Sequence, residues 1–276
     1  MHTIRHIFIA ITLTLAATIS LSTVTLAQTS VPPGQSEPLD SDDIQEMARD
    51  ILRLGTLESN SLKARLVERD NTDVVPALIQ SLRFMGQDPW TVVAALQSLT
   101  GAGLSKDWNK WMLWQEAHPE IKPFEGFAAY KEWVFANIDP NFSLFLYDGI
   151  ARTIRLEEIT WGGVPKDGIP ALVNPKLVAP GHDDAKYLGP DELVFGVSIN
   201  GDVRAYPLRM LDWHEMFNDV IGGVPVALAY CTLCGSGILF ETEIAGRAEP
   251  FEFGSSGFLY RSNKLMYDKA TNSLWN

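Results

Sequence analysis

Between Asp42 and Asn137 the apolar positions recur three and four residues apart, which predicts a run of amphipathic helices. Ile44, Met47, Ile51 and Leu54 form a first stripe that stops at Gly55. Val74, Val75, Leu78, Ile79 and Leu82 form a second that stops at Gly86, and Val92, Val93, Leu96 and Leu99 a third that ends at Thr100-Gly101. A fourth holds Trp108, Trp111, Met112 and Trp114 and ends at His118-Pro119. Glycine and proline at these ends are helix stops. Helical spacing assigns the tryptophans to the core and His118 to a helix-end cap.

From Asp139 to Pro190 that period fades and Gly and Pro accumulate, placing a boundary near Phe142 to Ile150. Beyond it the pattern predicts strands. Leu193 to Ile199 and Val203 to Tyr206 flank Asn200-Gly201, a strong hairpin dipeptide. Pro207 suits the first turn of a helix running to about Val220 and stopped by Gly222-Gly223. Pro225 to Tyr230 and Ile238 to Ile244 read as strands, with shorter ones at Phe251 to Phe253 and Lys264 to Tyr267. Gly254-Ser-Ser-Gly257 reads as a plain turn, whose amides would otherwise suit an anion. Arg204, Arg261 and Asp268 read as ion-pairing partners within the domain. The fold class is α+β, a helical domain over 42–140 and a mainly antiparallel domain with one prominent helix over 150–276.

The first 27 residues change the setting. A basic start at Arg5, an apolar run from Ile7 to Leu21 and small residues in Thr25-Leu26-Ala27 predict a cleaved export signal. Gln28 to Ser41, rich in Pro, Ser and acids, reads as a flexible linker. The expected location is periplasmic or secreted, with membrane attachment only if the signal stays uncleaved. A net charge of −12 without a basic patch argues against nucleic acid as a partner.

Export gives weight to the only two cysteines, Cys231 and Cys234, which fall in Tyr230-Cys-Thr-Leu-Cys-Gly235 between two predicted strands. A dithiol outside the cytoplasm oxidises unless a metal or a reductant holds it. Two thiolates in a turn closed by glycine resemble half of a metal-thiolate site, and His214 is the candidate third ligand. Copper would accept the two sulfurs with His214 or Met266, whereas zinc would need a fuller set. Metal binding through Cys231, Cys234 and His214 is therefore the leading expectation. The spacing also fits a redox dithiol. A third reading makes Cys231 a nucleophile, with His214 as base and Asn218 or Asp219 orienting it. Placed on one helix, His214 and Asn218 would share a face, but Asn218 spoils the His-Glu-x-x-His zinc pattern. A fourth leaves the cysteines as a structural pair in a docking protein, led by the helical half. A small molecule or a metal is the expected partner of the site, and a protein that of the helical half.

Two resemblances add to these readings. The short helices with glycine stops are similar to HEAT-type helical repeats, at about two units where a solenoid needs roughly three. Trp161-Gly-Gly-Val-Pro-Lys-Asp-Gly-Ile-Pro-Ala-Leu, Arg204-Ala-Tyr-Pro-Leu, Trp213-His-Glu, Gly222-Gly-Val-Pro-Val, Tyr230-Cys-x-Leu-Cys-Gly, Met266-Tyr-Asp and Ser273-Leu-Trp resemble an uncharacterised prokaryotic family, domain of unknown function 3179. The resemblance covers roughly 149–276 and implies a domain that continues past the last residues here. It implies no activity.

Overall fold

A computed structural model describes residues 41–53, 60–84 and 89–276, all within one compact unit, Leu39–Asn276. The export signal expected over 1–27 and nearly all of the linker expected over 28–41 lie outside the described residues. Among the described residues six α-helices come first: α1 (Ser41–Arg53), α2 (Asn60–Glu68), α3 (Val75–Phe84), α4 (Trp90–Thr100), α5 (Trp108–Ala117) and α6 (Phe127–Ala136). The ends of α4 and α5 follow the sequence, while the expected stops at Gly55 and Gly86 lie outside the described residues. Gly101 closes α4 in the left-handed region at φ 70°, and its N–H donates to Gln97. Asp107 caps α5 through its carboxylate, and the His118 ring bonds the Trp114 carbonyl at the far end. Trp111 is fully buried.

Ten strands follow, in three sheets. One sheet orders β1 (Ile159–Trp161), β8 (Phe253–Tyr260), β9 (Asn263–Asp268) and β10 (Leu274–Trp275). The second orders β2 (Leu172–Val173), β5 (Met216–Ile221), β6 (Val224–Cys231) and β7 (Ser236–Glu241), with only β2 parallel to its neighbour. β3 (Val194–Ile199) and β4 (Asp202–Pro207) form a hairpin, and α7 (Leu208–His214) leads from it into β5. The α+β class stands.

Alternation along β5 and β6 shows how the layers stack. Met216 and Ala227 pack with Phe251 and with Phe253 and Met266 of the first sheet. Their neighbours Phe217, Val226, Leu228 and Tyr230 face the other way, against Val197, Tyr206 and Leu211. β5 and β6, the central strands of the second sheet, are therefore covered on both faces. The first sheet turns its remaining side to the helices, where the Phe258 ring lies 5.0 Å from Phe135 and 4.4 Å from Phe142. One apolar core thus runs from α1 to β9.

Two segments differ from the sequence reading. The helix expected from Pro207 to Val220 ends at His214, because Glu215 adopts φ 51° and its N–H closes on Leu211. Met216–Ile221 is strand β5, joined to β6 by Gly222-Gly223 at φ 55° and 82°, a two-residue hairpin turn of the primed type. Gly254-Ser-Ser-Gly257 is no turn: it lies inside β8, at a register shift between Ser255 and Leu259. A Cβ on Gly254 would meet the Tyr267 ring at 2.5 Å, and one on Gly257 the Val164 carbonyl at 2.5 Å. These glycines serve close packing.

Lys131 of α6 has no exposed surface and donates to the Leu156 and Ile159 carbonyls, tying the helices to the start of β1. Burial pushes its ammonium down to about 7, against the pull of Glu157 and Glu158. With the folded value below the unfolded one, the unfolded chain binds the extra proton between those two values. Stability should therefore rise with pH from about 7 towards the ordinary lysine range, by at most about 1.4 kcal/mol per pH unit. Denaturant unfolding at pH 7 and pH 9 checks this: Lys131→Met should lose the rise, and an unchanged slope in the variant would assign it to other groups.

Candidate functional site

The cysteines sit where β6 turns into β7. Cys231 is the last residue of β6 and pairs with Ser236, leaving Thr232 to Gly235 as the loop. Gly235 at φ 62° allows the tight return, and the Cys234 N–H donates to the Cys231 carbonyl at 3.2 Å. The two sulfurs are joined in a disulfide across a Cα separation of 5.2 Å, and no free cysteine remains. The partners differ in access. Cys231 is 6% exposed, whereas Leu233 and Cys234 face solvent.

Glu215 organises the ground beneath the loop. Its carbonyl accepts the Tyr230 N–H at 2.8 Å, and one carboxylate oxygen accepts the Thr232 hydroxyl at 2.9 Å. The residues on either side of Cys231 are thereby tied to one glutamate. The other carboxylate oxygen pairs with Lys264 Nζ at 2.9 Å, and the same Nζ reaches the Glu215 carbonyl at 3.4 Å. The Lys264 side chain is 5% exposed. Burial pushes its ammonium below the ordinary range, and Glu215 and Asp167 pull the other way. Cys231 and Lys264 line two pockets in common. One also takes in Ser236, Phe240, Met266 and Trp275, the other Glu215, Leu233 and Ser255.

The hairpin turn from β8 to β9 approaches the sulfurs from the other side. Arg261 and Ser262 occupy it at φ 47° and 68°, positions that glycine or asparagine usually fills. Arg261 is held there by Glu158, which is fully buried, through contacts of 2.6 and 3.2 Å. Arg155 completes the clamp on Glu158 at 2.5 Å. The Ser262 carbonyl oxygen consequently lies 2.7 Å from Cys234 Sγ and 3.9 Å from Cys231 Sγ. A bridged sulfur has no proton to donate. On reduction Cys234 gains one, and this carbonyl is placed to accept it.

The expectation of copper or zinc held by Cys231, Cys234 and His214 is overturned. Metals bind the thiolate, and here both sulfurs are consumed in the bridge. Among the described residues no group of three or more His, Cys, Asp or Glu side chains could hold an ion. His214 closes α7, and its Nδ1 meets the Pro170 carbonyl at 2.9 Å. Met266 is 3% exposed between the two sheets, where it lines a pocket with Cys231. Asp219 is engaged by Arg204 Nη1 and the Tyr206 hydroxyl, each at 2.8 Å, and so is already partnered away from any imidazole. Asn218 stitches β5 to β8 by exchanging two hydrogen bonds with the Phe253 backbone. The sequence reading set His214 and Asn218 on one face of a helix, and that helix ends at His214, before Asn218.

Sequence reasoning missed Glu215, Lys264 and Ser262 as parts of the site. The available signal was the acid directly after His214 and a lysine entering the apolar run Leu265-Met266-Tyr267. Residues 166–276 match the model of a family described as protein of unknown function, DUF3179. Over that stretch the chain resembles a domain of unknown function. The match takes in the disulfide loop, Glu215, Ser262 and Lys264, and it begins after β1 and after α1 to α6. It gives the HEAT-type likeness of those helices no support. No curated protein and no solved structure matches the chain.

Glu158→Gln tests the clamp beneath the DUF3179 hairpin turn. Removing the charge that holds Arg261 and Arg155 should lower stability by about 2 kcal/mol in denaturant unfolding at a fixed redox state. A change within about 0.5 kcal/mol would mean that the turn holds its shape unaided.

Proposed function

We propose that the DUF3179 domain is a thiol–disulfide exchange module, working in an oxidising compartment outside the cytoplasm. The observation that carries this reading is the pairing of a solvent-facing sulfur, Cys234, with a buried one, Cys231, in a bridge that closes a very short loop. Chain entropy assigns a cross-link of that size about 2 kcal/mol at most. A bridge kept for stability belongs between distant segments, and this one joins neighbours. The exposed sulfur is open to attack by an external thiolate, and Lys264 lines the same pockets as the residue that would be released. The apolar leader over 1–27 agrees with a location where disulfides persist. The substrate class is a thiol-bearing molecule, small or peptidic.

Equilibration of the folded protein in graded reduced and oxidised dithiothreitol or glutathione, followed by alkylation of free thiols, should show one reversible two-electron transition. Cys231→Ser should leave Cys234 able to form a mixed disulfide with glutathione. A bridge that stays closed in excess dithiothreitol without denaturant would overturn the reading.

A further inference from the structure

We infer that Lys264 stabilises Cys231 as the thiolate released when an incoming thiol attacks Cys234, and that Glu215 sets the strength of that effect. The inference rests on the exchange reading of the site and adds a direction to it.

Access fixes which sulfur is attacked. Cys234 faces solvent and Cys231 is 6% exposed, so an external thiolate reaches Cys234 Sγ first. A bond forms between the incoming sulfur and Cys234 Sγ, the Cys231–Cys234 bond breaks, and its electron pair leaves on Cys231 Sγ. A second substrate thiolate then attacks the substrate sulfur of the mixed disulfide. It forms the oxidised substrate and expels Cys234 as a thiolate. The two protons given up by the two substrate thiols complete the balance, one on each cysteine of the fully protonated dithiol. The Cys234 proton goes to a thiol whose acceptor, the Ser262 carbonyl, is in place at 2.7 Å.

Cys231 requires the opposite treatment, because the better the leaving thiolate is stabilised, the faster the bridge opens. The charged groups gathered around it come from three elements. Lys264 projects from β9 and lines both pockets that Cys231 lines. Glu215, at the end of α7, grips the backbone N–H of Tyr230, the Thr232 hydroxyl and Lys264 Nζ at once. Asp167 acts on Lys264 from the loop before β2. The ammonium is therefore bonded to the same glutamate that binds Tyr230 and Thr232, the two neighbours of Cys231, in a place largely closed to water, where an opposite charge acts strongly. With the bridge closed, Glu215 neutralises Lys264. With it open, the lysine lies between a carboxylate and a thiolate and serves both.

The thiol of Cys231 can be titrated alone in a Cys234→Ser background by its thiolate ultraviolet absorbance and by alkylation rate. Adding Lys264→Met should raise the Cys231 pKa by about one unit and slow alkylation near neutral pH about tenfold. Adding Glu215→Gln frees the lysine charge and should lower the pKa, and Lys264→Arg should keep most of the parent value. Opposite signs for the two neutralising changes are the expected result, and loss of packing alone would not produce them. Equal values in all four proteins, or shifts of one sign, would overturn the inference. If Lys264→Met fails to fold, the sign of the Glu215→Gln shift decides. A parent protein that exchanges with thiols yet shows no such shifts would sink this inference alone, whereas a bridge that never opens would sink the exchange reading beneath it.

Discussion

One residue, Glu215, holds three pieces of the domain together with four contacts. Its left-handed backbone ends α7 and turns the chain into β5, its carbonyl anchors β6, and its carboxylate joins the cysteine loop to β9. A carboxylate partly withdrawn from water is costly unless its oxygens are filled, and here a hydroxyl and an ammonium fill them. The ammonium has the same need. Neither group would tolerate its position alone, so the pair fixes the strand end, the loop and the lysine relative to one another. The geometry of the sulfurs follows from that constraint.

The layers explain why such a pair is buried. β5 and β6, the central strands of the second sheet, are covered on one face by the first sheet and on the other by the β3–β4 hairpin and α7, so they carry side chains into two interiors. Polar groups that enter either interior must find partners inside it. Asn218 spends both amide groups on the Phe253 backbone, and Asp219 takes Arg204 and Tyr206. The helices contribute from further away. Phe135 and Phe142 fix Phe258 of β8, and Glu158 fixes the turn that follows β8, so the Ser262 carbonyl is positioned by residues that precede the DUF3179 match.

The same two-sided burial limited what the chain disclosed. The stripe ending at Thr100-Gly101 was legible because α4 keeps one wet face, and it matches that helix closely, whereas Val75 to Leu82 of α3 are all buried. Asn200-Gly201 was legible because only a few residues accept positive φ at both turn positions. Met216 to Ile221 was not. With both faces covered, β5 shows no apolar–polar alternation, and Gly222-Gly223 serves equally as a helix stop or a hairpin turn. Gly254 to Gly257 misled for a related reason, since a run that is polar and small by composition is packed against Tyr267, Val164 and Phe142. The loop with its two cysteines was visible at once, but their state was not: spacing alone is shared by metal knuckles and by bridges. Lys264 and Glu215 lie far apart in sequence, and nothing local announces a pair that forms only when the start of β5 meets β9.

The redundancy of the ties around the cysteine loop separates its redox state from the fold. The loop is already closed by the Cys231–Ser236 strand pairing, by the Cys234 N–H on the Cys231 carbonyl and by Thr232 on Glu215. Opening the bridge removes a covalent link across a span that these hydrogen bonds also hold. It exposes no core surface, because Leu233 and Cys234 face solvent in the bridged form. A cross-link that the surrounding structure can lose without unfolding is one whose two states can both persist, and reversible exchange requires that property. A structural bridge has the reverse relation to its fold, in which the segments it joins depend on it.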